Sequence, residues 1–198
     1  FFVALLISKY SNKIGNGILI DHDFDKPQAF HKELIPRCGG LASVISLTAF
    51  FIFYNLLFNE FLFDYFILSF VMFLLGFMED IKIKINPNYR LLMMIFILLL
   101  FIFFSSINIQ SLDLQFLNTW MKNGIFANIF ILLCFLFITN GSNLIDGFNG
   151  LLTIHLLIIN SILFFINLNS GNENLTIVIA SQIIVLLSFL LFNFPKAK

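Results

Sequence analysis

Asn140, Asn143, Asp146 and Asn149 recur at every third position of the stretch NGSNLIDGFNGL, residues 140–151, interleaved with Gly141, Gly147 and Gly150. One carboxylate among carboxamides is a set that suits a hard cation such as Mg²⁺ together with sugar or phosphate oxygens. On an unbroken α-helix, residues three apart drift by about 60° per step, so Asn140 and Asn149 would face opposite ways. Glycine tolerates the backbone angles of a break. The spacing therefore predicts a helix ending near Asn140, an irregular loop, and a new helix from Asn149 or Gly150. A turn whose Asn and Asp side chains merely cap free backbone groups explains the same residues without any ligand. Periodicity alone leaves both readings open.

Two further clusters lie at the ends of apolar runs. In GFMEDIKIKINPNYR, residues 76–90, Glu79 and Asp80 are adjacent acids, and neighbouring carboxylates repel unless a cation or basic group sits between them. That arrangement suits metal or phosphate chemistry; pairing of the acids with Lys82 and Lys84 in a solvated loop is the plainer account. In DFDKPQAFHKELIPRCGGLA, residues 23–42, Lys26, His31, Lys32 and Arg37 could hold a diphosphate, arginine as a fork and lysine as a point charge. Membrane anchoring explains those charges but not the proline and glycine arrangement around them. His155 stands inside an apolar window, where an ionisable group is a functional candidate by default. A neutral histidine bonded to a neighbouring helix is the simpler reading. His22, His31 and His155 lack metal-ligand spacing, and Cys38 and Cys134 do not suggest a disulfide framework.

The elements that must position these groups are set by composition. The chain is 60% hydrophobic and 11% charged, whereas soluble domains are about a quarter charged. Windows 38–59, 91–112, 123–145, 147–172 and 174–195 contain no Lys, Arg, Asp or Glu, and 61–78 contains only Asp64. Roughly 20 apolar residues suffice for a membrane-crossing helix. The expected fold class is all-α: one polytopic membrane domain over residues 1–198, with about six complete transmembrane helices plus the end of an N-terminal one. The spans are expected near 1–8, 39–58, 61–78, 91–108, 124–140, 150–167 and 175–194. Ten of the eleven basic residues fall in 9–37, 79–90 and 195–198, and only Lys122 falls on the other side. Basic residues favour the cytoplasm, which places 9–37, 79–90, 140–150 and 195–198 there. Every loop with unusual chemistry is then on that face. A net charge of zero gives no support for nucleic-acid binding.

KPQAFHKELIPRCGG, GFMEDIKIKINPNYRL and NGSNLIDGFNGLL together resemble the three cytoplasmic motifs of the polyprenyl-phosphate N-acetylhexosamine-1-phosphate transferases, the MraY/WecA superfamily or glycosyl transferase family 4. The order and the side of the membrane also match, and the resemblance covers essentially the whole chain. It implies transfer of a sugar-1-phosphate from a UDP-N-acetylhexosamine to polyprenyl phosphate in the cytoplasmic membrane, with release of UMP, as the first lipid-linked step of cell-surface polysaccharide synthesis. It implies Glu79, Asp80 and Asp146 as catalytic residues, Asp146 and Asp80 as ligands of Mg²⁺ or Mn²⁺, and Asn140, Asn143, Asn149, Lys26, His31 and Lys32 as substrate contacts. A homodimer is implied as well.

Many relatives carry Asp-Asp where this chain has Glu79-Asp80, and Asp where it has Asn149; Ala29 stands where a basic residue is common. The Glu79-Asp80 and Asn149 variants resemble the surface-polysaccharide branch, with a simple UDP-sugar donor, and Ala29 speaks against a phosphate contact at its position. The family also continues past a stretch like FNFPKAK into a Gly-Asp loop and a histidine-bearing loop, so the sequence is expected to be part of a longer enzyme. A transporter and a catalytically inactive remnant are the rival readings. A transporter usually sets its polar groups near the midplane, whereas these acids sit at one interface.

Overall fold

The computed structural model describes residues 1–10, 39–59, 63–81, 83, 85–105, 109, 112, 114–145 and 148–195. They form α1 (Phe2–Tyr10), α2 (Gly39–Phe58), α3 (Phe63–Asp80), α4 (Pro87–Ser105), α5 (Gln115–Met121), α6 (Gly124–Ile145), α7 (Leu151–Asn169) and α8 (Glu173–Asn193). No strand occurs among the described residues. The helices are apolar all round, the pattern of elements surrounded by lipid. α2, α4, α6, α7 and α8 are each long and apolar enough to cross a membrane. α3 is the sixth long helix, and its three carboxylates, Asp64, Glu79 and Asp80, all lie at its ends. Phe103 and Phe104 stay 78% exposed, as side chains facing hydrocarbon do. The chain is an all-α integral membrane protein.

Short connections make successive helices antiparallel. α2 packs on α3, α3 on α4, α4 on α6, α6 on α7, α7 on α8 and α8 back on α2, so six helices close a circuit; α1 lies against α2. Small residues let α2 and α8 approach. A Cβ at Gly39 would collide with the Phe189 ring, and the Ser46 and Ser181 hydroxyls are satisfied by carbonyls of their own helices, Ala42 and Val178. At the other end the buried Tyr54 hydroxyl donates to Asn174 Oδ1 at 2.7 Å. Tyr54→Phe leaves that oxygen one donor short. It is expected to cost about 1 kcal/mol, read as a lowered unfolding temperature in detergent, and an unchanged value would remove the bond from the account of α2–α8 closure.

The start of α4 and the connection that follows it depart from expectation. α4 begins at Pro87, four residues before the expected 91, because Asn86 caps it: Asn88 N–H donates to Asn86 Oδ1 at 3.1 Å, with Pro87 in the first helical position. Proline suits that position, where its missing N–H has no intrahelical partner to lose. The connection between α4 and α6 contains the short helix α5, whose Trp120 meets Phe126 of α6 edge-on at 5.5 Å. Periodicity could not reveal seven residues of helix in a polar connector.

Candidate active site

Three segments meet the same end of the bundle: the α3–α4 hairpin, the α6–α7 connection and the C-terminus of α8. In the hairpin, α3 runs to Asp80, and Ile81 N–H and Ile83 N–H close its last turn on Phe77 O and Met78 O, both at 3.0 Å. Glu79 and Asp80 thus stand on the final helical turn, Glu79 exposed and Asp80 half-buried. Arg90, in the first turn of α4, forms an ion pair through Nη1 with Glu79 Oε2. Lys82 and Lys84, the partners considered for the acids, lie outside the described residues. Arg90 is the contact that sequence reasoning missed. Its available signal was Asn86-Pro87, which starts α4 early enough to turn Arg90 back toward α3.

α6 corrects the expected break and the expected cytoplasmic loop 140–150. It continues five residues beyond Asn140, to Ile145. The polar side chains that were to end the helix bond back along it instead: Thr139 Oγ1 donates to Phe135 O at 2.8 Å, Asn140 Nδ2 to Leu136 O at 2.9 Å and Ser142 Oγ to Ile138 O at 2.6 Å. Ser, Thr and Asn satisfied in this way need not interrupt a helix. Asn140 and Asn143 consequently share a helix, about 60° apart around its axis. Asn140 is half-buried and Asn143 exposed.

The break itself falls later. Phe148, Asn149 and Gly150 form the turn into α7, with Leu151 N–H on Phe148 O at 3.1 Å and Ile154 N–H on Gly150 O at 2.8 Å. Gly150 has φ +79°, and a Cβ there would lie 3.0 Å from Phe194 Cδ2. Asn149 Nδ2 reaches Pro195 O at 3.5 Å. That contact seats the third asparagine against the end of α8.

Among the described residues no hydrogen bond joins Glu79 to Asn140, Asn143 or Asn149; the two halves share an end of the bundle rather than a direct bond. Asp146, Lys26, His31 and Lys32 lie outside the described residues, as do Ala29 and Arg37. Among the described residues no group of three or more His, Cys, Asp or Glu side chains stands close enough together to hold a metal ion. His155 differs from the simpler expectation: it is exposed on α7 and has no hydrogen-bond partner among the described residues. Cys134 is a free thiol.

A profile described as "Glycosyl transferase family 4" matches residues 62–198. The chain belongs to that family. Similar curated proteins are all named phospho-N-acetylmuramoyl-pentapeptide-transferase. The one from Dictyoglomus turgidum is 30% identical over 216 residues, covering 100% of this chain and 64% of the relative. The Clostridium perfringens (strain 13 / Type A) protein is 36% identical over 86 residues, 43% of this chain and 27% of the relative. That from Leuconostoc mesenteroides is 44% identical over 75 residues, 38% of this chain and 23% of the relative. The chain thus spans less than two thirds of the length of the curated relatives it matches. No solved structure matches it. Within this family member, the matched segment includes both α3–α4 with its acidic pair and α6–α7 with its asparagines.

Proposed function

We propose that this protein transfers an N-acetylhexosamine-1-phosphate from a UDP-sugar to polyprenyl phosphate at the cytoplasmic face of the cytoplasmic membrane. The observation that carries the reading is the placing of Glu79, Asp80, Asn140, Asn143 and Asn149 at one end of an otherwise apolar bundle in a glycosyl transferase family 4 chain. The basic loops argue that this end faces the cytoplasm. One substrate is water-soluble and the other is a lipid with its phosphate at the interface, so a site at the end of a helical bundle reaches both.

In the proposed reaction an oxygen of the lipid phosphate attacks the β-phosphorus of the UDP-sugar. The bond from that phosphorus to the bridging oxygen breaks, and its electron pair leaves with UMP. A phosphate monoester is largely dianionic at neutral pH, its second pKa being about 6, so positioning and charge neutralisation carry most of the catalysis. Mg²⁺, which Asp80 and Asp146 would hold, supplies neutralisation of diphosphate charge. Glu79 orients the lipid phosphate. Asn140, Asn143 and Asn149 contact nucleotide or sugar, and Lys26, His31 and Lys32 contact phosphate. A homodimer and a role at the start of cell-surface polysaccharide synthesis complete the proposal.

The relatives' names favour a second donor, a UDP-N-acetylmuramoyl-pentapeptide, whereas Glu79 and Asn149 favour the simple sugar. Incubating the whole encoded protein with polyprenyl phosphate, Mg²⁺ and each donor in turn decides between them. UMP release is expected with UDP-N-acetylglucosamine and not with the peptide-bearing donor. Release with the latter alone moves the protein to the peptidoglycan branch, and no release with any UDP-sugar overturns the transferase reading and raises the transporter in its place.

A further inference from the structure

We propose that Arg90 is the positioning residue of the acidic pair: it grips Glu79 through one carboxylate oxygen and so fixes the direction in which the other oxygen meets the substrate. The inference rests on the transferase reading above. It begins with how firmly Arg90 is seated. Its N–H is bonded to Asn86 O at 3.1 Å, inside a first turn that Asn86 Oδ1 also caps through Asn88 N–H. Its side chain is 29% exposed against 63% for Glu79. The arginine is the anchored partner, and the glutamate is the one that gains orientation.

Stability does not account for the pair. An ion pair this exposed contributes about 0–1 kcal/mol, and the last turn of α3 is already closed by the Ile81 and Ile83 backbone bonds. What the pair changes is geometry and charge. Glu79 engages Arg90 through Oε2 alone, and Oε1 has no partner among the described residues. An unheld glutamate would scatter that oxygen over several rotamers. A held one presents it in a single direction, from the last turn of α3. The chemistry also demands relief of repulsion, because two adjacent acids must admit a diphosphate and a lipid phosphate. The Arg90 guanidinium offsets one of those negative charges without contacting substrate.

The test uses the whole encoded protein in its membrane or in detergent, with UDP-N-acetylhexosamine, polyprenyl phosphate and Mg²⁺. Arg90→Gln is expected to lower kcat tenfold or more, consistent with the roughly hundredfold losses that follow misplacement by ~1 Å. KM for the UDP-sugar should stay within about twofold and the unfolding temperature within a few degrees, as befits an exposed pair. Because a single nitrogen makes the contact, Arg90→Lys is expected to recover most of the loss. Three results overturn the inference: parental kcat in Arg90→Gln, a change confined to KM, or a kcat loss that tracks lost folding and is not rescued by lysine. Should Arg90→Gln fail to reach the membrane, Glu79→Asp, whose carboxylate is drawn back from Arg90, is expected to show the same kcat loss, and parental kcat there overturns the inference equally. A parent that releases no UMP sinks the transferase reading and this inference with it; an active parent matched by Arg90→Gln sinks this inference alone.

Discussion

Asp146→Ala is expected to reduce UMP release by about a thousandfold, equivalent to some 4 kcal/mol of lost transition-state stabilisation. The magnitude follows from what the residue is asked to do. It is the one acid in the run from Asn140 to Gly150, so no neighbour in that segment can take over as a metal ligand. The assay compares parent and variant for UMP release at saturating Mg²⁺, with the amount of protein in the membrane fraction as the control for folding. A variant that keeps more than a tenth of parental turnover would take Asp146 out of the reacting centre and return the asparagine-rich stretch to the plain capping turn. Asp146→Asn separates charge from shape: retaining the oxygen while losing the charge, it should fall nearly as far if a cation is bound there.

Gly150→Val carries the largest expected effect on stability. Gly150 sits at φ +79°, a region that costs a residue with a Cβ about 1–2 kcal/mol. The added Cβ would stand 3.0 Å from Phe194 Cδ2 and 3.1 Å from Leu190 Cδ1, and forcing extra carbon into such a contact adds roughly 1–3 kcal/mol. The sum, about 2–5 kcal/mol, falls on the α7–α8 seam and on Asn149, the neighbouring residue that reaches Pro195. The expected result is a clearly lowered unfolding temperature in detergent, with Gly150→Ala intermediate. An unchanged temperature in the valine variant would mean that the turn into α7 relaxes freely and does not hold Asn149 in place.

Much of the architecture could be read from the sequence because lipid imposes so simple a rule. Uncharged runs of about 20 residues become spans, and α2, α7 and α8 fall close to where the runs place them. Errors concentrate where local hydrogen bonding competes with composition. Asn140 through Asn143 look like a break by residue type, yet the Asn140 and Ser142 side chains bond to carbonyls one turn back and α6 runs on to Ile145. α5 is too short for any periodicity to show. At the candidate site, residue types pointed to Glu79 but not to its partner: the ten residues between Glu79 and Arg90 pass through a hairpin in which Asn86 caps the start of α4. Sequence adjacency pointed to Lys82 and Lys84, which lie outside the described residues; among the described residues Arg90 pairs with Glu79.

Closure of the helical circuit has a consequence for how the protein is made. Gly39 and Phe189, which meet at the α2–α8 seam, are separated by nearly the whole described chain, and Tyr54 and Asn174 are 120 residues apart. α2 leaves the ribosome early, and its glycine-and-serine side must wait in lipid through the synthesis of five further helices before α8 arrives to cover it. Contacts between such distant segments form late. Until α8 is inserted, that side of α2 has no α8 to pack against, so this seam is completed only after the intervening helices have been made.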